Sequence, residues 1–339
     1  FLRRALGLTQ KQYRKTLSTC SNVVESQMCS HDWKDIKFEN VPGQAMMNYI
    51  NCFMKHDPEG YMAYIQNVAQ GHTKINAQTL LPHQLIEKYN KSIWGDHSEY
   101  FVDVLWKNLP DFLKGIKNDK ILPVVDTSGS MWCGTPRCID VSVGLGLYLA
   151  ERNVGIFQDH FITFSESPQL QKIEGLTFTE RFKCVNGSKW GMNTDLEAVF
   201  DLILQRAQIY DITQEEMPNS ILILSDMEFD EACENGHTVF ESIRAKYKKS
   251  KYTIPTLVFW NLMSRHDNFP VQANEDGLIL MSGFSASTLR YIFGEETEIT
   301  ETENTTAQTS TINPIVAMNK VIQSERYNNI IINYPSQKQ

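Results

Sequence analysis

The residues of this chain best suited to chemistry are oxygen donors at the ends of apolar runs. ILPVVDTSGSMW, positions 121 to 132, ends in Asp126, Ser128 and Ser130, and a second apolar run, SILILSD, ends in Asp226. Between them WGMNTDLEAVF carries Thr194 ahead of a helical pattern, where Asn or Thr is a preferred N-cap and Asp195 and Glu197 suit a first turn. Two carboxylates with hydroxyls, and neither thiolate nor imidazole, suit a hard divalent cation. Mg²⁺ is favoured because it keeps several waters and needs few carboxylates. Gly129 stands between the serines, where a missing side chain lets both hydroxyls turn inward. The predicted metal set is Asp126, Ser128, Ser130, Thr194 and Asp226, and no catalytic residue is assigned.

Other residues near this set read as structural. Gly144 and Gly146 in VSVGLGLYL lack the preceding strand and following Lys-Ser/Thr of a phosphate loop, and are expected where a helix packs closely on a sheet. Trp132 and Trp190 border the site, with core packing the expected fate of each. The seven cysteines are scattered, and Cys133 and Cys138 in CGTPRC lack zinc-knuckle spacing. They read as free thiols, with a redox-sensitive pair as the alternative. The histidines before residue 100 form no HExxH motif.

The elements that must position the set follow from the pattern around it. From residue 121 onward, short β-branched runs alternate with helical stretches, which predicts βαβ units on a mostly parallel six-stranded sheet covered on both faces. Ligands of such sheets sit at the carboxyl ends of the strands. The preceding residues carry helical periodicity only: Leu2, Leu6, Tyr13, Leu17, Val24 and Met28 predict one basic helical stretch over 2–28, and HDPEG splits two later helices. Residues 1–120 hold 15 Lys and Arg against 12 Asp and Glu, whereas 121–339 hold 17 against 28. That change of sign supports a boundary, giving an all-helical region over 1–119 and an α/β domain over 120–339. Residues 294–311, with five Glu and seven Thr, read as a solvated, disordered loop, followed by a helical pattern and then IIIN as a last strand or tail.

No run approaches the roughly 18 apolar residues that span a bilayer, so the chain reads as soluble, with no membrane partner. The cysteine usage suits a reducing compartment, so the expected location is cytoplasmic, or a virion if the protein is viral. The start at Phe1 without a signal-like segment reads as a fragment or trimmed product.

Asp126-x-Ser128-x-Ser130, Thr194 and Asp226, in that order, resemble the metal-ion-dependent adhesion site of the von Willebrand factor A fold, over roughly residues 120–290. VPGQAMMNYI, INAQTLLPHQLI and SDMEFD are further similar to segments of an uncharacterised eukaryotic and giant-virus family in which a helical region precedes such a domain. That layout is itself similar to the TROVE (Ro autoantigen) proteins, whose helical-repeat ring binds RNA. The chain departs from the A-domain pattern after Asp226, where Met227 and Glu228 stand in place of the usual glycine, with Asp230 and Glu231 close behind.

The resemblance implies a non-enzymatic module that holds a protein or RNA partner through Mg²⁺ or another divalent cation. The basic face of Arg3, Arg4, Lys11, Arg14 and Lys15 reads either as a solvated face or as a contact for the phosphates of single-stranded or structured RNA. Two alternatives stand beside this reading. One is a Mg²⁺-dependent phosphotransferase or phosphatase of the haloacid dehalogenase type, whose signature needs an aspartate where this chain has Ser128. The other is a viral structural or scaffold component with a vestigial site.

Overall fold

The structure, a computed structural model, describes residues 2–20, 23–91, 98–113, 120–188, 195–227, 239–263, 277–289, 319 and 322–323. The chain packs as two units, Phe1–Pro110 and Asp111–Gln339. Among the described residues, no helix is long and apolar enough to cross a membrane.

The first unit holds helices α1 (Leu2–Ala5), α2 (Gln10–Cys20), α3 (Val24–Cys29), α4 (Gly43–His56), α5 (Pro58–Ala69), α6 (Pro82–Asn90) and α7 (Ser98–Lys107). The single helical stretch expected over 2–28 is broken. Gly7 takes a φ of 62° and ends α1. Thr9 and Gln12 then cap the start of α2 reciprocally: the Thr9 N–H donates to Gln12 Oε1 at 2.9 Å, and the Gln12 N–H to Thr9 Oγ1 at 3.3 Å. HDPEG divides α4 from α5 as its residues imply, since Asp57 accepts the Gly60 N–H and Pro58 occupies the first helical position. Phe38, Phe53, Tyr61 and Phe101 form a chain of ring contacts within the core of this unit. A single parallel bridge joins Pro42 to Asn76. It depends on Gly43, where a Cβ would lie 2.8 Å from the Asn76 carbonyl oxygen.

The second unit begins with β1 (Ile121–Asp126), α8 (Cys138–Arg152), β2 (His160–Phe164), β3 (Leu170–Lys172) and α9 (Phe178–Asn186). It continues with α10 (Leu196–Ile209), β4 (Ser220–Ser225), α11 (Val239–Ser250), β5 (Thr256–Asn261) and β6 (Leu278–Ser282). The strands form one six-stranded sheet in the order β3-β2-β1-β4-β5-β6, and every described pairing is parallel except that of β2 with β3. This is the expected doubly wound, mostly parallel six-stranded sheet, preceded by helices.

β3 escaped the sequence pattern because it is three residues long, holds a single apolar residue, Leu170, and is only partly buried at the sheet edge. The expected strand at 330–333 and the acidic loop at 294–311 lie outside the described residues. The central strands β1 and β4 are buried along their whole length, as coverage of both faces requires. Each fully buried Val, Leu or Ile contributes about 1.5–3 kcal/mol. Helix α8 lies close against them. A Cβ on Gly146 would come within 2.4 Å of Val125 Cγ2, so this glycine serves helix-on-sheet contact. Ser142 Oγ, one turn earlier, donates to the Leu224 carbonyl at 3.0 Å.

Candidate metal centre

The strand order makes the site. After β1 the chain moves to one side of the sheet through β2 and β3, then returns to place β4 against the other side of β1. Connections on the two sides leave in opposite directions, so a crevice opens at the carboxyl ends of β1 and β4, the switch point where ligands of such sheets bind. The register pairs Val125 with Leu224, so Asp126 comes opposite Ser225 and Asp226 follows one residue later. Asp126 is 0% exposed and Asp226 3%.

Hydrogen bonds fix the first carboxylate. Asp126 Oδ1 accepts the Ser128 N–H at 2.9 Å, and Oδ2 accepts the Ser225 hydroxyl at 2.5 Å. Burial pushes the Asp126 carboxyl up to about 6; the bonds from Ser225 and Ser128 oppose that rise, and the Asp226 charge adds to it. Ser128 Oγ and Ser130 Oγ stand 3.2 Å apart on the turn. After Asp226 the backbone turns sharply: Met227 has a φ of 65°, and its N–H donates to Ser225 Oγ at 3.0 Å. The position after Asp226 is thus left-handed. Met227 occupies it at a cost of about 1–2 kcal/mol while burying its side chain in the sheet core.

Four of the five predicted site residues, Asp126, Ser128, Ser130 and Asp226, lie on this pair of strand ends. Thr194 lies outside the described residues, as do Trp190, Glu228, Asp230 and Glu231. The N-cap of α10 is Asp195 rather than Thr194, because the Asp195 carboxylate reaches the Ala198 N–H at 3.0 Å. Gly129 does not play the part expected of it: its φ is not positive and a Cβ there would meet nothing within 4 Å. Trp132 is 57% exposed rather than packed in the core. The Arg137 guanidinium lies 5.6 Å from the centre of its ring. That guanidinium is held by two 2.8 Å bonds to the buried Asp140 carboxylate.

Cys133 and Cys138 are free thiols, and Cys138 Sγ points at the Leu262 carbonyl at 3.6 Å. Of the basic set, Arg3 and Arg4 sit on α1 and Lys11, Arg14 and Lys15 on α2. The residue missed in the sequence is Ser225. Its signal was a polar side chain closing an otherwise apolar strand, but only the β1–β4 register turns it toward Asp126.

The donor set suits a hard divalent cation by its chemistry, with two buried carboxylates and two neighbouring hydroxyls at adjacent strand ends. Thr127 Oγ1, buried in the same turn, has no hydrogen-bond partner among the described residues. Among those residues no three His, Cys, Asp or Glu side chains gather as a metal cluster, so hydroxyl oxygens would have to supply part of any coordination shell.

Comparison with known proteins bears on the whole chain. The family model described as "Domain of unknown function (DUF7788)" matches residues 120–326, and "Domain of unknown function (DUF2828)" matches residues 1–118. The chain is 32% identical over 317 residues to "Uncharacterized protein L728" of Acanthamoeba polyphaga mimivirus, covering 87% of this chain and 54% of that protein. The chain therefore spans about half the length of the curated relative it matches.

Among solved structures it is similar to the Ro (RSR) protein of Deinococcus radiodurans, with 13% identity and a TM-score of 0.42 over 72% of this chain and 52% of that one. It is also similar to the manganese-loaded TRAP protein of Plasmodium vivax, with 14% identity and a TM-score of 0.33 over 52% and 73%. By the extent of the match over 120–326, more than half of its length, the chain belongs to the family described as Domain of unknown function (DUF7788).

Proposed function

We propose that residues 120–339 form a von Willebrand A-type binding domain that holds a partner protein through a divalent cation, most suitably Mg²⁺, and that residues 1–119 form a separate helical region. The observation that carries this reading is the meeting of Asp126 and the Asp226 turn at the switch point, with the Ser128 and Ser130 hydroxyls 3.2 Å apart beside them. Ser128, Ser130 and Thr194 are the neutral donors of the proposed set, and Asp126 and Asp226 the charged ones. A bound cation supplies a Lewis-acidic position for an oxygen from outside. Because only two of the five donors are charged, net positive charge remains to attract a carboxylate of the partner. The exposed indole of Trp132, steadied by Arg137, offers an apolar contact on the same loop.

Phosphotransfer is less well supported. A nucleophilic aspartate must present an oxygen to phosphorus, whereas Asp126 is fully buried and each of its oxygens already accepts a hydrogen bond.

A second contact, with RNA, is favoured by the exposure of Arg4, Lys11, Arg14 and Lys15 on α1 and α2, with the half-buried Arg3 beside them. Its partner is single-stranded or structured RNA, bound through phosphates.

The test replaces Asp126 or Asp226 with Ala. Mg²⁺ and Mn²⁺ binding is measured by calorimetry, and partners are recovered from lysate with and without EDTA, with protein and RNA both identified. Each variant is expected to lose measurable cation binding and the EDTA-sensitive protein partner. Folded variants that lose the cation yet retain every partner would show that the cation is not the bridge.

A further inference from the structure

Ser225 is not among the residues assigned to the cation, yet its hydroxyl stands between the two strand ends that carry them. It is 0% exposed. Its oxygen accepts the Met227 N–H at 3.0 Å and donates to Asp126 Oδ2 at 2.5 Å. A hydroxyl has one proton to give. With Met227 as the donor on one side, the proton of Ser225 goes to Asp126 on the other. The relay therefore has a direction: backbone amide to hydroxyl to carboxylate.

We infer that Ser225 is a positioning residue of the cation site, orienting the Asp126 carboxylate and the Asp226–Met227 turn through one hydroxyl.

The geometry makes the two effects inseparable. Asp126 is held at Oδ1 by the amide of Ser128 in its own turn and at Oδ2 by Ser225 from the neighbouring strand. The first bond fixes the carboxylate within the β1 turn, and the second ties it to β4. Ser225 also anchors Met227, whose left-handed backbone sets the path of the chain immediately after Asp226. Removing the hydroxyl leaves the Met227 amide without that acceptor and the Asp126 carboxylate without its tether to β4. Outer hydrogen bonds of this kind commonly change metal affinity by about 10-fold to 100-fold when removed. The four β4 residues before Ser225, Ile221 to Leu224, are apolar, so no adjacent side chain in β4 supplies a replacement hydroxyl.

The inference rests on the cation reading above, and its test separates the two. Wild-type chain, Ser225→Ala and Ser225→Thr are titrated with Mg²⁺ and with Mn²⁺ by calorimetry, and their thermal unfolding is followed in EDTA. Ser225→Thr keeps the hydroxyl and is expected to bind within about 3-fold of wild type, whereas Ser225→Ala is expected to bind about 10-fold to 100-fold more weakly. The unfolding transition in EDTA shows whether each protein is folded, so a weaker titration by a folded Ser225→Ala is an effect on the site. Should Ser225→Ala not fold, Ser225→Cys, with a similar volume and a weak donor, takes its place with the same expected loss. Wild type binding the cation with Ser225→Ala or Ser225→Cys binding equally well overturns the positioning role alone. A wild-type chain that takes up neither cation overturns the cation reading, and the role of Ser225 in it falls as well.

Discussion

At the carboxyl ends of β1 and β4, Asp126 and Asp226 are sealed from solvent, and Asp126 has a hydrogen bond on each carboxylate oxygen. On α1 and α2, by contrast, Arg4, Lys11, Arg14 and Lys15 stand exposed on helices in which no described side chain is buried. The strand-end carboxylates are costly to bury, so the surrounding backbone and hydroxyls are built around them. The helical cations stand in solvent and cost the fold little. Pre-orientation suits a cation that demands a particular geometry, whereas an exposed basic surface suits phosphates that demand only charge.

The sharpest way to test this contrast is through pH in the absence of metal. The folded-state value of the Asp126 carboxyl, about 6, lies above its ordinary value of 3.8. The folded chain therefore holds this proton more tightly than the unfolded chain, and the contribution of Asp126 to stability is greatest below about pH 4 and is lost as pH rises through about 6. In EDTA, denaturant unfolding should show a loss on the order of 2–3 kcal/mol from this group across that window. Asp126→Asn should lack that component. Equal pH profiles for wild type and Asp126→Asn would mean that burial imposes no charge penalty there, and the contrast with the exposed cations would fail.

A smaller effect is expected at Met227. Alanine normally stabilises a helix or strand relative to glycine, but at a φ of 65° the order should reverse. Met227→Ala and Met227→Gly should both lose the buried side chain, with the glycine variant the more stable by about 1 kcal/mol. Thermal unfolding of the two variants side by side reads this directly, and an alanine variant at least as stable as the glycine variant would remove strain from the account of the Asp226 turn.

The least effect on stability is expected from the basic helices. Changing Arg3, Arg4, Lys11, Arg14 and Lys15 together to Gln should move unfolding by less than about 0.5 kcal/mol per site. If these residues contact RNA, the same change should abolish most of the salt dependence of binding to single-stranded RNA, whose slope for five phosphate contacts is about −3.5 in log–log form. Binding that is independent of salt, or unchanged in the variant, would leave these residues as a solvated face only.

Much of the α/β unit was legible in the sequence because its strands are short, β-branched and apolar throughout, which double coverage of a parallel sheet requires. β3 was not, since three residues at an edge with one leucine among them carry too little apolar signal. The basic N-terminal stretch shows the opposite failure. Its apolar spacing continues across Gly7 and Thr9, but a left-handed glycine and a reciprocal cap divide it into separate helices. The Trp132 side chain likewise read as core, whereas the turn that follows Ser130 leaves it in solvent over the Arg137 guanidinium.

Residue type and order alone determined which oxygens end the strands, because a carboxylate or hydroxyl closing an apolar run must lie where the run leaves the sheet. What they could not determine was which of those ends meet. The return of the chain from β3 to the other side of β1 places β4 beside it, and the parallel register sets Asp126 opposite Ser225. That pairing joins positions 99 residues apart through one hydrogen bond. No local periodicity encodes it, because it depends on the burial of both faces of the sheet and on the handedness of the connections between its strands.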